Sequence, residues 1–408
     1  MTTNACVAAV TLFAVAAAPA LAQDEPEHPF IEREGNAERY VLRFDYGIRG
    51  QQESTSDRVA FIEYDLDTLA IIFPAGAPTS SSDCDPRAVT GEFQINDGLR
   101  DDEPTILDPY AAGAFYARWD TGRVVRGRSF ELQLEIPVTS YNTILKPQAA
   151  AAGWPVDELP PEARTALGPQ FLIDQAPRDR AAVQRLVRDW TGGNDPKSIP
   201  PLQLAKYFLG KTIDLVQITG QNVTFGSSVL GFVGIEGLDM QGVAETVRRG
   251  RGTELDITGL YCAALREAGL PARMVYSIED LEENEDRRSG LDDAAEIRAH
   301  VEFYLHDQAT RTGGWIPADP ARLREMSSRA PNLDRDWPFF GTHDELEYRA
   351  PFAFHAHPPT SVRAYGAPAF WGWIGTPGTP AAAIQGFTFD IRSASVRRDD
   401  AERRRDRR

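Results

Sequence analysis

Cysteine and histidine are the side chains most able to supply nucleophilic or metal chemistry, and this sequence contains only three cysteines and six histidines. Cys84 lies in the loop-like stretch SSSDCDPR, whereas Cys262 falls inside a helical apolar pattern, where a small thiol is most simply a packed side chain. Two such cysteines do not make a disulfide framework, and the sequence does not decide whether they pair.

His343, His355 and His357 are the histidines whose spacing could suggest a metal site. No HExxH motif or paired-cysteine spacing accompanies them. The glycine-rich stretch 226–242 also lacks the lysine of a phosphate-binding loop and the GxGxxG spacing of a dinucleotide turn. We therefore predict no metal and no organic cofactor.

The charge and the N-terminal residues indicate the class of protein and its compartment. A formal net charge of −17 argues against a nucleic-acid binder, because it repels phosphate backbones. Residues 1–22 are an apolar run ending in Ala20-Leu21-Ala22, which is typical of a signal peptide, although no lysine or arginine precedes the run. We expect a secreted, periplasmic protein without stable membrane insertion after cleavage.

The N-terminal half shows the alternation of apolar and polar residues that is typical of half-buried strands. This pattern predicts an antiparallel β-sandwich over residues 39–145. A proline- and alanine-rich linker is predicted over residues 146–170. The clearest apolar stripes comprise Tyr40, Leu42, Phe44 and Tyr46, and then Phe130, Leu132, Leu134 and Ile136.

Helical periodicity replaces this alternation from about residue 178, and one helix has clear start and stop signals. Thr253 and Asp256 have the spacing of a capping box, while Gly269 followed by Pro271 marks an end. A strand is predicted over residues 273–278, and then an acidic solvent loop over residues 279–296. In the next strand, RAHVEFYL, alternate residues face the core, while Arg298, His300, Glu302 and Tyr304 share the other face.

A helix ending in GLPAR, an acidic loop, a strand VEFYL and a segment GWIPADP follow one another in an order that resembles the transglutaminase-like superfamily, a papain-related fold. The resemblance covers roughly residues 170–350. It implies an α+β chain in which helices pack on an antiparallel sheet over residues 171–335. We assign residues 336–394 to a C-terminal extension of this core and residues 395–408 to a charged disordered tail.

In that family the helix opens with Gly-x-Cys-x-Asp, the strand carries His-x-Trp-x-Glu and the last segment supplies an aspartate. Gly252 and Asp256 fit this pattern and place the nucleophilic cysteine position at Glu254. Val301-Glu302-Phe303-Tyr304 fixes the strand and places the catalytic histidine position at Arg298, with His300 where tryptophan is usual. Asp319 alone matches its catalytic counterpart. No oxyanion donor is assigned, because Gln217 and Gln221 are only plausible in location.

These replacements change what the site can do. Glu254 has the helix N-terminus but no thiolate, and Arg298 cannot exchange a proton near neutral pH, because arginine stays protonated. The order of charges is nevertheless kept, since Glu254, Arg298 and Asp319 repeat the minus, plus, minus pattern of thiolate, imidazolium and carboxylate. We hypothesise a salt-bridged remnant of the triad, in which one guanidinium grips both carboxylates. His300 is the main candidate for a rescuing catalytic group.

Two functions remain open. The first is a pseudoenzyme that binds a peptide or protein segment in its altered cleft, with a basic segment favoured by the acidic loop. The second is a hydrolase or acyltransferase of the same superfamily that uses Glu254 as a base with His300 or Asp319 assisting. We favour the first interpretation, in which the protein is not an enzyme. The sequence names neither the ligand nor the oligomeric state.

Overall fold

A computed structural model of the chain describes residues 27–50, 64–66, 68–96, 98–100, 104–107, 113–120, 125–127, 129–154, 159–225, 235–280, 295–356, 370, 372–376 and 383–393. The predicted signal peptide, most of the acidic loop, His357 and the predicted tail lie outside these residues.

The strands of this structure are β1 Ile31–Gly50, β2 Tyr64–Leu66, β3 Thr68–Gly76, β4 Ser82–Asp83, β5 Thr90–Ile95, β6 Gly98–Arg100, β7 Thr105–Leu107, β8 Phe115–Asp120, β9 Val125–Gly127, β10 Ser129–Leu145, β11 Gln217–Ile218, β12 Val223–Phe225, β13 Ile235–Leu238, β14 Arg251–Gly252, β15 Ala272–Asp280, β16 Ala295–Asp307, β17 Thr312–Ala318, β18 Arg349–Ala353, β19 Gly372–Thr376 and β20 Ala383–Ser393. The α-helices are α1 Pro161–Thr165, α2 Pro177–Trp190, α3 Pro201–Leu215, α4 Val243–Arg249, α5 Glu254–Glu267 and α6 Pro320–Met326.

Two antiparallel sheets form the predicted β-sandwich. One sheet has the strand order β20-β1-β10-β5-β6 with β4 also paired to β10, and the other has the order β19-β3-β8-β7. Phe44 of β1 and Phe73 of β3 meet between them, with ring centroids 5.2 Å apart. The apolar stripes predicted on β1 and β10 are buried, because the alternation places every second side chain between the sheets. The α+β fold class is confirmed.

The C-terminal residues divide between the two halves of the chain. β18 pairs with β15 of the core sheet, but β19 pairs with β3 and β20 pairs with β1 along eleven residues, from Tyr40 opposite Ser393 to Gly50 opposite Ala383. This corrects the prediction that residues 336–394 extend the core for β19 and β20, whereas β18 does join the core sheet. The reason is that strands far apart in sequence can pair at a sheet edge, and local alternation does not reveal which edge a strand joins.

The proline-rich stretch 146–170 packs against the rest of the protein instead of running as a separate linker. It contains a short 3-10 helix, Pro147–Ala151, and the five-residue helix α1. Ala149 and Ala163 are fully buried, and the backbone N–H of Ala272 donates a hydrogen bond to the carbonyl of Ala166. Because alanine side chains are small, they allow residues 146–170 to pack closely against the protein. The alanine-rich composition that suggested a linker therefore reflects packing.

The core of the C-terminal half is a sheet with the order β17-β16-β15-β18, against which α5 packs. The helix begins as predicted, because the Thr253 side chain accepts from the backbone N–H of Asp256 and the Asp256 side chain accepts from the backbone N–H of Thr253. Its buried stripe meets neighbouring helices, and the Tyr261 hydroxyl donates to the carbonyl of Ala205 on α3 at 3.2 Å. Capping and burial together fix where α5 starts, and with it the position of Glu254.

β15 and β16 are buried on both faces. Glu302 of β16 contacts the N-terminal half, where the Ser80 backbone N–H donates to Glu302 Oε1 at 2.7 Å. None of the helices in the described residues has the length and apolar character needed to cross a bilayer.

Candidate functional site

Glu254 and Arg298 meet at the N-terminus of α5. Glu254 is the first residue of the helix, directly after its cap, and Arg298 lies on β16 opposite Ser277 of β15. The Arg298 guanidinium donates to Glu254 Oε1, and Asn222 Nδ2 donates to Glu254 Oε2 at 3.1 Å. The structure thus brings together two of the sequence-predicted site residues and adds an amide to them.

Arg298 is surrounded by carboxylates. Besides Glu254, it has Glu296 Oε2 2.8 Å from Nη2, Glu279 Oε2 3.1 Å from Nε and Glu325 Oε1 3.7 Å from Nη1. Burial lowers the pKa of Arg298 to about 10, against the opposing effect of carboxylates such as Glu325. The side chain therefore remains a cation at neutral pH and cannot act as a general acid or base there.

Asp319 has different partners. It is the N-cap of α6, where its Oδ1 accepts from the backbone N–H of Arg322 at 2.8 Å. Its Oδ2 accepts from Arg349 Nη1 at 2.7 Å and lies 3.5 Å from His343 Nε2. Burial alone would raise the pKa of Asp319, but Arg349 and His343 hold it well below its usual range. Asp319 is thus ionised, and both of its carboxylate oxygens have hydrogen-bond partners.

The hypothesis that one guanidinium grips both Glu254 and Asp319 is corrected by this geometry. Arg298 pairs with Glu254, Arg349 pairs with Asp319, and Glu279 lies between the two arginines, 3.1 Å from Arg298 Nε and 3.9 Å from Arg349 Nε. Charges of alternating sign therefore run from the helix N-terminus to the cap of α6. Two residues that the sequence reasoning missed make this connection.

Glu279 was predicted in the acidic solvent loop and is instead fully buried on β15. Its acidic neighbours in sequence hid it, because a run of carboxylates is normally solvated. Arg349 is also buried, on β18, and its Asp319 and Glu279 neighbours raise the pKa of the guanidinium against the effect of burial. A buried arginine requires an acidic partner, so its position in the apolar segment YRAPFAF was the available signal.

His300, the candidate rescuing group, is fully buried opposite Val275. Neither of its ring nitrogens has a hydrogen-bond partner among the described residues. Burial lowers the pKa of His300 to about 3, so the ring is neutral at physiological pH. Full burial without a hydrogen-bond partner among the described residues fits a packing role better than a catalytic role.

Asn222 is the buried amide of the site. Its Nδ2 also donates to the carbonyl of Ile297 at 3.0 Å, so it ties Glu254 to β16. The candidate oxyanion donors Gln217 and Gln221 are both exposed. Sequence position alone did not distinguish Asn222 from its neighbour Gln221, because only burial against α5 selects it.

Cys84, Cys262, His343 and His355 are not part of the Glu254 site. Cys84 and Cys262 are both unpaired, and burial raises the pKa of each thiol to about 12. His343 contacts Asp319, whereas the ring of His355 lies 6.0 Å from that of Tyr116. The structure therefore gives neither cysteine a thiolate at neutral pH.

A second buried ion pair lies farther along the same two strands. Arg273 Nη2 is 2.7 Å from Glu302 Oε2, and the two residues are directly opposite in the register of β15 and β16. The Arg273 guanidinium carbon lies 4.2 Å from the ring centroid of Trp315 and 3.8 Å from that of Phe354. Both side chains are buried and each charge is balanced by the other, while the aromatic rings cover the guanidinium.

One segment of the C-terminal half is similar to a known protein family. Residues 236–320 match the model of the Transglutaminase-like superfamily. A solved structure of a candidate cysteine protease from Cytophaga hutchinsonii is similar with 14% identity and a TM-score of 0.49, covering 89% of this chain and 93% of that one.

The periplasmic domain of TgpA from Pseudomonas aeruginosa is also similar, with 14% identity and a TM-score of 0.28, covering 69% of this chain and 87% of that one. No curated protein sequence matches. The matched segment 236–320 contains Glu254, Arg298 and Asp319. Residues 236–320 are therefore a transglutaminase-like segment of this chain.

Proposed function

We propose that this chain is an exported, catalytically silent transglutaminase-like protein that binds a peptide or protein segment in the cleft at Glu254. The observation that carries the proposal is the ion pair between Arg298 and Glu254, at the positions where the family resemblance expects a histidine and a cysteine. Export is inferred from the apolar leader at residues 1–22.

Loss of catalysis follows from what each group can donate or accept. Acyl transfer through a thiol needs a thiolate and a group that returns a proton to the leaving amine. Arg298 stays protonated near neutral pH, and Glu254 is held by Arg298 and Asn222. Cys262 lies deeper along α5 with its pKa raised to about 12, so it supplies no substitute nucleophile.

Binding is supported by the composition of the cleft rim. Glu254, Glu296 and Glu325, here called the acidic rim, surround the single guanidinium of Arg298 and keep 12%, 41% and 29% of their side chains exposed. Glu325 also pairs with Arg322 at 3.1 Å, but with Glu279 the carboxylates around Arg298 still outnumber these two arginines, which favours a positively charged ligand group.

Exposed apolar side chains follow the elements that form this rim. Met326, directly after Glu325 at the end of α6, and Phe225, at the end of β12 three residues after Asn222, are 60% and 52% exposed. Large exposed apolar groups are common at interaction surfaces. A segment with basic and apolar side chains is therefore the best match to the cleft.

The alternative is a hydrolase or acyltransferase that uses Glu254 as a base. It needs Glu254 free and a second group able to exchange a proton beside it. The Arg298 and Asn222 contacts occupy Glu254, Asp319 is held by Arg349, and His300 has a pKa near 3. These contacts favour the silent protein over the alternative.

Catalysis is tested with three purified proteins on amide and peptide substrates: the parent, Glu254→Gln and Glu254→Cys/Arg298→His. We expect the parent to release no more amine than Glu254→Gln does, because neither has a nucleophile. The double variant tests whether the remaining frame supports thiol chemistry. Turnover by the parent that disappears in Glu254→Gln would establish the alternative.

Binding is tested by fluorescence anisotropy with two labelled 12-residue peptides, one alternating lysine and leucine and the other alternating glutamate and leucine. We expect the basic peptide to bind and the acidic one not to bind. Glu325→Gln should weaken binding severalfold, whereas Glu135→Gln, on β10 of the sandwich, should not. Equal weakening by both variants would mean attraction to net charge instead of binding in the cleft.

A further inference from the structure

A groove of about 750 Å³ lies between the N-terminal half and the core and shares no residue with the acidic rim. One wall is the turn that carries Thr79, Ser80 and Ser82, and the opposite wall is the β16–β17 hairpin with Tyr304 and Trp315. Binding pockets of about 300–1,000 Å³ commonly lie at such boundaries between domains. The groove thus has the size and place of a ligand site.

The arginines of the groove are already neutralised. Arg33 Nη1 is 2.8 Å from Asp83 Oδ1, and Arg33 Nε donates to the carbonyl of Ser80 at 2.8 Å. Arg273 is paired with Glu302 at 2.7 Å. Burial lowers the pKa of His28, on the same wall, to about 4, so this ring is neutral at pH 7. Each cation in the groove therefore has a carboxylate partner, which disfavours phosphate and other anions as ligands.

Hydroxyl groups and aromatic rings make up much of the remaining surface. Thr79 Oγ1 is 2.7 Å from Ser82 Oγ, and each hydroxyl can both donate and accept. Trp315 is half-buried, with Tyr304 packed edge-on at a centroid distance of 5.3 Å. The groove thus offers polar groups of both kinds beside an aromatic ring.

Two adjacent glycines keep this wall open. A Cβ on Gly314 would come 2.3 Å from His28 Nε2, and a Cβ on Gly313 would come 2.2 Å from the Tyr304 hydroxyl. Any larger residue at either position would displace a side chain that lines the groove. The Gly313-Gly314 pair therefore maintains its shape.

We infer that this groove binds a short neutral saccharide. A saccharide has many hydroxyl groups that donate and accept, which match Thr79, Ser82 and the Asp83 carboxylate, and an apolar C–H face that matches an aromatic ring. A proline-rich peptide matches less well, because it offers carbonyl acceptors but few donors to the hydroxyls and to the Asp83 carboxylate. Glu162 also lines the groove, so its charged residues give no excess of positive charge that would call for an anionic ligand.

Isothermal titration of the full chain with cellotriose, maltotriose and N,N′,N″-triacetylchitotriose tests this assignment, with trigalacturonic acid as the anionic comparison and decaproline as the peptide comparison. We expect at least one neutral trisaccharide to bind, with the anionic one at least tenfold weaker. Asp83→Asn and Trp315→Phe should each weaken binding about tenfold. Trp315→Phe keeps a ring beside Arg273, so the fold is retained.

Asp120→Asn is the matched control, since Asp120 on β8 is also half-exposed and paired with an arginine, Arg118 at 2.9 Å. It should leave saccharide binding unchanged, as should Glu254→Gln, which separates this site from the cleft. Failure of all three neutral trisaccharides to bind would overturn the inference. So would binding that survives both groove variants, or decaproline binding that both variants abolish.

Discussion

Two buried charge clusters on the same pair of strands differ in how they are balanced. Arg273 and Glu302 form a one-to-one pair whose side chains are 4% and 0% exposed, with aromatic rings against the guanidinium. Arg298 is shared by four carboxylates, two of which, Glu296 and Glu325, reach solvent. The Arg273–Glu302 pair, here called the closed pair, therefore has a structural role. The carboxylates around Arg298, here called the open cluster, can still bind a cation from solvent.

The strongest test of this difference is to break the closed pair. Arg273→Met should lower the free energy of unfolding by about 3–5 kcal/mol, because it leaves the Glu302 carboxylate buried without its cation. Urea unfolding measures the change. The double variant Arg273→Met/Glu302→Leu should recover much of the loss, and a loss below about 1 kcal/mol in the single variant would contradict the structural role.

The open cluster should respond unequally to loss of its cation and loss of one acid. Arg298→Met should cost about 2–3 kcal/mol, less than the closed pair, because water can screen the partly exposed carboxylates that remain. Glu254→Gln should cost less than about 1 kcal/mol, since three carboxylates still pair with Arg298. Equal costs for the two variants in urea unfolding would mean that Glu254 and Arg298 form a simple pair.

Stability should fall with decreasing pH because of His300, which lies between the two clusters on β16. Burial depresses its pKa to about 3, whereas the unfolded chain has a value near 6.5. As the pH falls below 6.5 the unfolded state binds a proton that the folded state does not, so the folded state loses relative stability.

Between pH 7 and pH 5 this loss should be about 2 kcal/mol, and His300→Leu should remove it. Unfolding titrations at both pH values measure it, with the parent as the reference. The same pH dependence in parent and variant would assign the effect to other groups.

The smallest expected effect concerns the cap that positions Glu254. Thr253→Ala should lower the free energy of unfolding by about 1 kcal/mol, because α5 loses one side of its capping box. Thr253→Ser keeps the hydroxyl and should remain close to the parent. A thermal melt of the three proteins measures the difference, and equal melting temperatures would show that burial alone fixes the helix start.

Local features of the sequence predicted the elements that carry the site. The Thr253–Asp256 capping box and the Gly269-Leu270-Pro271 stop bracket α5 within a few residues, and the alternation of β16 assigned Ala299 and Val301 to the core face. These signals act over a few residues, so they do not depend on the rest of the fold. They were sufficient to place Glu254 and Arg298 on elements that meet.

The sequence by itself determined the alternating strands, the capped helix and the types of charge at the site. Only the tertiary structure decided which carboxylate each arginine meets, that Glu279 and Arg349 join the two ends of the cluster, and that β19 and β20 return to the N-terminal sheets. The physical reason is the distance along the chain over which each interaction acts. Periodicity and capping depend on neighbours along the chain, whereas strand partners and buried ion pairs depend on residues brought together by packing.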